Sequence, residues 1–245
     1  MLQNAVVSRE EWLEARKALL AREKELTRQR DELSAARREL PWVKVEKTYV
    51  FETLEGPKSL GELFEGRSQM IVHHFMFGPG WTEGCIGCSF AADHAEGALV
   101  HLENHDVSYL RVSRAPLAEL EAYRQRMGWR ARGVSSHDSD FNYDFQVSFT
   151  PEQLAKGDVV YNYAKSGIQS EDLSGLSVFY RNDEGEVFHT YSTFGRGDEL
   201  MDTSYMFLDL TPKGRNETGP HYNLMDWVKR HDDYGTPAAR AAAGE

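Results

Sequence analysis

The chain has two cysteines, Cys85 and Cys88, and both fall within "FGPGWTEGCIGCSFAADH", residues 77 to 94. A C-x-x-C pair can act as a redox dithiol, supply half of a metal site, or be two small buried residues that happen to be close. If a helix begins at the pair, the two sulfurs lie one turn apart on the same side. The free N–H groups and the dipole of the helix start then stabilise a thiolate, which is the reactive form of cysteine. In that setting Cys85 is the expected nucleophile at the exposed tip. Cys88 lies beneath it and resolves the mixed disulfide. Trp81 and Thr82 stand four and three residues upstream. Gly84 and Gly87 leave room for a partner chain to come close. Asp93 and His94 occupy the next helical turn, where a side chain either tunes a thiol or faces solvent. His73 and His74 sit in the preceding apolar run, one pointing to each face if that run is a strand. There a histidine either exchanges protons with the pair or is a core residue held by a backbone partner.

The metal reading has a numerical attraction, because Cys85, Cys88, His101 and His105 match C-x2-C-x12-H-x3-H. Residues 89 to 105, however, read as one helix rich in Ala, Glu and Leu. At about 1.5 Å of rise per residue, His101 would lie roughly 20 Å from Cys88 along the axis, whereas zinc ligands lie about 2 Å from the metal. A zinc finger is incompatible with that helix. The expectation is therefore no metal and no cofactor.

The elements that must position the dithiol follow from periodicity. "QMIVHHFMFG" is a dense apolar run of strand length ended by Gly78-Pro79-Gly80, and continuous apolar runs belong to central strands covered on both faces. "SFAADHAEGALVHLENH" places Ala91, Ala95, Ala98 and Leu102 on one helical face. "VSYLRVS" reads as a strand, and "PLAELEAYRQRMG" as a helix opened by Pro116 and closed by Gly128. Residues 69 to 128 thus form a βαβα unit with a parallel strand pair. Residues 129 to 149 suggest short strands near Val134 and at Phe145 to Phe149. Residues 150 to 175 read as an inserted surface segment. "LSVFYRNDEGEVFHTYSTFG" is a hairpin turning at Asn182 to Gly185, and "ELMDTSYMFLDL" is a closing helix. A βαβ unit followed by an antiparallel hairpin and a helix is the thioredoxin-like order, in which a C-x-x-C at the first helix start is a redox motif. The fold expected is α/β, a thioredoxin-like mixed sheet flanked by helices.

Three segments make up the chain on this reading: an N-terminal amphipathic helix over residues 1–41, the thioredoxin-like domain over 42–232, and a disordered tail over 233–245. Ser8 and Glu11 form a capping box, with Val7 and Trp12 placed to staple it. Pro41 should stop the helix at Leu40. Trp12, Leu19, Leu26, Leu33 and Leu40 recur every seven residues, but the companion positions are mostly polar, giving half of a coiled-coil seam. Such a helix packs along its own domain or against a dimer mate. Its balanced charges do not favour an anionic membrane surface. Across the 245 residues, 39 acidic against 28 basic side chains give a formal net charge of -11, the wrong sign for a phosphate-backbone binder. No stretch has the length of a membrane span or the composition of a signal peptide. A cytoplasmic protein with reduced thiols is expected.

"FMFGPGWTEGCIGCSFAADH", "VSRAPLAELEAYRQRMGW", "SSHDSDFNYDF", "HTYSTFGRG" and "WVKRHDDYG" resemble a bacterial family of unassigned function catalogued as thioredoxin-like, predicted dithiol-disulfide oxidoreductases. The resemblance runs from about Ser8 to Tyr234. It implies thiol-disulfide exchange by Cys85 and Cys88, without a cofactor, on a protein or small-molecule disulfide or thiol. Better-known thioredoxins have Trp immediately before the first cysteine, Gly-Pro between the two, and a proline before the hairpin. Here Trp81 lies upstream, Ile-Gly is enclosed, and no proline occurs between Pro151 and Pro212. Peroxiredoxins are the rival resemblance. Thr82 and Cys85 reproduce their T-x-x-C, Pro79 is one place off, and Arg181 or Arg114 would have to supply the arginine beside the thiolate.

Overall fold

The computed structural model describes residues 4–215 and 227–235 and divides into two units, Met1–Trp42 and Val43–Glu245. The first is built on α1 (Arg9–Arg38). Its entry is the expected capping box: the Glu11 N–H donates to Ser8 Oγ at 3.1 Å and the Ser8 N–H to the Glu11 carboxylate at 2.9 Å. The helix stops two residues short of Leu40, because Pro41 disfavours helical geometry in the residue before it. The Trp12, Leu19, Leu26 and Leu33 side chains are exposed.

The second unit holds a six-stranded mixed sheet. β1 (Val43–Lys44) precedes a small hairpin of β2 (Val50–Phe51) and β3 (Lys58–Ser59). Around β2 the side chains alternate, with Tyr49, Phe51 and Thr53 buried and Val50, Glu52 and Leu54 exposed. β4 (Gln69–His74) and β5 (Val107–Ser113) pair in parallel, with β6 (Arg132–Ser135) parallel on the outer side of β5. β9 (Gly175–Arg181) lies antiparallel to β4 on its other side, followed by β10 (Val187–Phe194) and then β1. The order β10-β9-β4-β5, with the helix after β4 leading into β5, is thioredoxin-like. β4 is central for the reason its composition predicts: Met70, Val72, His73 and His74 are all buried, and so is every residue of β5, as both-face coverage requires.

The two faces of β4 have different covers. Met70, Val72, Leu110, Val112 and Phe179 point to one, where Leu63, Phe64 and Phe141 close over them. Ile71 and Tyr109 point to the other, against Ala95 and Leu99. Helix 89–105 is in fact two helices, α2 (Ile86–Glu96) and α3 (Leu99–Asn104). Gly97 and Ala98 interrupt it with a tighter turn, the Ala98 N–H donating to the Ala95 carbonyl. α4 (Leu117–Arg126) ends beside Gly128, which adopts a φ of 63° that suits glycine.

No strand forms at Phe145 to Phe149. α5 (Phe141–Asp144) stands just before it, since Phe141 and Phe145, four apart, face the same core as a helical turn would place them. The inserted segment contains α6 (Pro151–Lys156), capped by Thr150, and a hairpin of β7 (Val159–Tyr161) and β8 (Ala164–Ser166). The closing helix divides into a 3-10 stretch, Gly195–Met201, and α7 (Thr203–Leu208), separated by Asp202. Of the tail expected to be disordered, residues 236–245 lie outside the described residues. No helix among the described residues is long and apolar enough to cross a membrane.

Candidate active site

Cys85 is the N-cap of α2, with extended backbone (φ −53°, ψ 137°), and Cys88 is the third residue of that helix. The loop before it is fastened to the sheet: the Cys85 N–H donates to the Met76 carbonyl at 2.9 Å, and the Met76 N–H donates to Cys88 Sγ at 3.4 Å. Gly84 is needed inside this loop. A Cβ there would lie 2.5 Å from the Phe75 ring and 3.0 Å from Tyr123. Its missing side chain therefore serves internal packing.

Both cysteines are free thiols, Cys85 half-buried and Cys88 buried among Phe75, Phe77, Ala92 and Tyr123. Their environments drive them apart. The Cys88 thiol, donating toward the Cys85 sulfur, is the strongest of the influences that bring the Cys85 pKa down to about 6. Burial opposes this, and the N–H groups of Cys88 and Gly87 and the charge of Arg230 reinforce it. No close cap hydrogen bond forms at the helix start, so those N–H groups act on the sulfur as near dipoles. The same interaction, together with burial, raises the Cys88 pKa well above the usual thiol range. One thiol is thus held ready as an anion while the other keeps its proton.

Arg230 is the arginine of this site, and sequence reasoning missed it. Its Nη2 donates to the Gly84 carbonyl at 2.8 Å and its Nε to the Tyr123 hydroxyl at 2.9 Å. Tyr123 in turn meets Ser89 Oγ at 2.8 Å, and Ser89 donates to the Cys85 carbonyl at 2.8 Å. The two arginines considered from sequence are elsewhere. Arg114 is clamped by Asp172 and Tyr143, and Arg181 reaches the Gly61 carbonyl at the far end of the sheet. The signal for Arg230 was its presence in "WVKRHDDYG", among the segments that carry the family resemblance.

Other supporting candidates separate. Trp81 is partly exposed, its ring close to Gly78. Thr82 is exposed and does not cap α2. Gly87 lines a cavity with both cysteines. Asp93 accepts from Trp129 Nε1 at 2.6 Å and meets His231 Nδ1 at 2.8 Å, so it fastens distant segments. His94 bridges the Phe90 carbonyl and Ser204 Oγ. His74 faces away from the cysteines and meets Ser177 Oγ at 2.7 Å. His73 lines the cavity; its Nδ1 meets the Tyr109 hydroxyl at 3.1 Å while its Nε2 has no partner. Among the described residues no group of three or more His, Cys, Asp or Glu is placed to hold a metal ion.

The cavity, of about 300 Å³, opens beside Cys85 and is completed by the stretch from Gly195 to Tyr205. Asp198 and Asp202 lie in its wall. Burial is the main cause that raises the Asp198 pKa to about 6 and the Asp202 pKa to about 7. Neither was found from sequence, since their distance along the chain from the cysteines gives no motif.

Solved structures similar to this chain include the peroxidoxin BcpB of Mycobacterium tuberculosis, at 12% identity and a TM-score of 0.46, covering 67% of this chain and 93% of that one. A peroxiredoxin Q of Xanthomonas campestris is similar at 14% identity and 0.43, over 73% and 95%. A candidate thiol-disulfide oxidoreductase of Bacteroides vulgatus is similar at 13% and 0.37, over 64% and 92%. No curated protein matches the chain. Residues 1–234 match the model of a family described as bacterial protein of unknown function (DUF899), and the chain belongs to that family.

Proposed function

We propose that this protein is a dithiol-disulfide oxidoreductase in which Cys85 is the nucleophile and Cys88 the resolving thiol. The observation that carries the reading is the division of labour within the pair. Cys85 is half-exposed at the start of α2 with its pKa lowered to about 6, and Cys88 is buried beneath it with its pKa raised. In the first step the Cys85 thiolate attacks one sulfur of a disulfide RSSR. The S–S bond breaks, RS⁻ leaves, and a Cys85–S–S–R mixed disulfide forms. Cys88, after losing its proton, attacks the Cys85 sulfur and expels the second RS⁻. Two electrons pass from the protein dithiol to the substrate, and Cys85–Cys88 becomes a disulfide. A disulfide bond between residues three apart closes a small loop at the helix start.

One observation favours a second reading, a thiol peroxidase: Arg230 lends its positive charge to Cys85. There the thiolate would attack a peroxide oxygen, the O–O bond would break with loss of hydroxide to leave a sulfenic acid on Cys85, and Cys88 would condense with it to a disulfide and release water. The Arg230 guanidinium is already engaged by Gly84, Tyr123 and Glu83, and Thr82 is turned to solvent, so exchange is the better supported of the two.

Stopped-flow mixing of reduced protein with a small disulfide, and separately with hydrogen peroxide, tests the assignment. Rapid oxidation by the disulfide that requires Cys85 is expected. Faster oxidation by peroxide would replace the exchange reading with the peroxidase. Reaction with neither oxidant would end both.

A further inference from the structure

The cavity beside Cys85 carries polar groups that the protein itself leaves uncompensated. Asp202 is 8% exposed, and its Oδ1 has no hydrogen-bond partner; His94 Nδ1, held by the Phe90 carbonyl, is 3.8 Å away. His73, fully buried in the same wall, has an unpartnered Nε2. A buried polar atom without a partner costs free energy that a bound ligand can return. The charged groups of the wall are not balanced either. Glu199 is paired with Arg196 and Arg215, and Arg196 points largely into solvent with its side chain 74% exposed. Asp198 and Asp202 are left as the acids facing the space, beside the apolar surfaces of Ala91 and Tyr205. A volume of about 300 Å³ lies at the small end of ligand pockets, enough for a compact molecule and too little for a folded partner.

We propose that this cavity selects small cationic disulfides, seating an ammonium or guanidinium group against Asp198 and Asp202 while the disulfide lies at Cys85. The inference rests on the exchange reading for the chemistry, and the electron balance is the one given above. The cation supplies the donors that Asp202 lacks, and a hydrogen bond to a charged group is stronger than a neutral one. Above about pH 7, where both carboxyl groups are ionised, an anionic disulfide is disfavoured by the same charges.

The experiment compares cystamine, 2-hydroxyethyl disulfide and 3,3′-dithiodipropionate as oxidants of the reduced protein. Each rate is divided by that of dithiothreitol with the same disulfide, which removes differences in intrinsic reactivity. The normalised cystamine rate should exceed the dithiodipropionate rate by about tenfold or more, the factor given by a single contact of about 1.4 kcal/mol. In an Asp198→Asn, Asp202→Asn protein the ratio should fall toward one. Because both oxidants meet the same thiolate, the ratio is insensitive to any change in Cys85 ionisation. A ratio near or below one in the native protein, or one unchanged in the double variant, overturns the proposal. Calorimetry with 1,6-diaminohexane, the carbon analogue of cystamine, reads the site without exchange. Binding to the native protein that the double variant loses supports the cation site even if every disulfide is inert, in which case the oxidoreductase reading alone fails. Absence of diamine binding to a protein that exchanges all three disulfides equally removes the cavity's selectivity and leaves the exchange reading intact.

Discussion

His73 and His74 are neighbours in the same central strand, both buried, both with pKa values lowered to about 3 chiefly by burial. Each has one ring nitrogen bonded and one without a partner. They differ in what lies beyond the ring. His74 is packed against the rings of Phe141 and Phe145, with centroids 5.6 and 5.9 Å away, and its Nε2 begins a chain through Ser177 and Ser192 to His189. The space around the His74 ring is filled. His73 faces the open cavity that also receives Cys85, Cys88, Asp198 and Asp202. The lesson is that burial alone does not separate a core histidine from a site histidine. The difference is whether the space around it has been closed by side chains.

Substitutions can break this contrast. The largest effect is expected from Cys85→Ser, which should lower the rate of disulfide exchange by about a thousandfold or more, because a hydroxyl does not replace a thiolate nucleophile. Stopped-flow oxidation reads that loss, and at pH 5, where Cys85 is protonated folded and unfolded, the urea midpoint should barely move. Around His74 the pattern inverts. Phe141→Ala should cost about 3–5 kcal/mol of stability by urea unfolding, as expected for an emptied aromatic core site, while the Cys85 titration stays where it was. Cys88→Ala removes the strongest stabiliser of the Cys85 anion and should raise its pKa by about one unit or more. Arg230→Met removes a weaker influence, and the rise should be smaller than for Cys88→Ala; monitoring thiolate absorbance against pH distinguishes them. Ser177→Ala is the mildest, about 2 kcal/mol for its two lost hydrogen bonds, to His74 and Ser192, with no effect on the thiols.

Cys85 and the two histidines act on stability in the same direction with pH. Cys85 is more acidic folded than unfolded, so its contribution to stability is present above the ordinary thiol pKa of about 8.5. It is lost as pH falls through about 6. The two histidines have depressed values near 3. The unfolded chain therefore takes up protons first, and stability declines as pH drops below about 6.5. Asp198 and Asp202, raised to about 6 and about 7, act the other way below pH 7, so urea midpoints should fall from pH 8.5 to pH 7 and change much less between pH 7 and pH 5.

Much of this architecture was legible before the structure. The apolar run of β4, the glycine-punctuated C-x-x-C, the Pro116 and Gly128 boundaries and the Asn182–Gly185 turn are local signals, and local physics places them. What was not legible depends on distant contacts or on a competing period. Gly97 breaks a helix that periodicity alone would continue. Phe145 reads as the start of a strand because the alternation after it competes with its four-residue spacing from Phe141. Asp93 lies one turn from the cysteines, yet its partners Trp129 and His231 draw it outward. Arg230, Asp198 and Asp202 reach the site from segments more than a hundred residues away along the chain, where no spacing rule applies.

The central claim is that Cys85 is an activated thiolate and Cys88 is not, and the pH dependence of alkylation tests it directly. Native reduced protein is treated with limiting iodoacetamide across pH 4 to 10, and the modified residue is located by mass spectrometry. The account predicts that Cys85 alone is alkylated, with a rate that rises through a midpoint near pH 6 and then levels off. A midpoint near 8.5, the value of an ordinary thiol, or equal modification of Cys88, would contradict it.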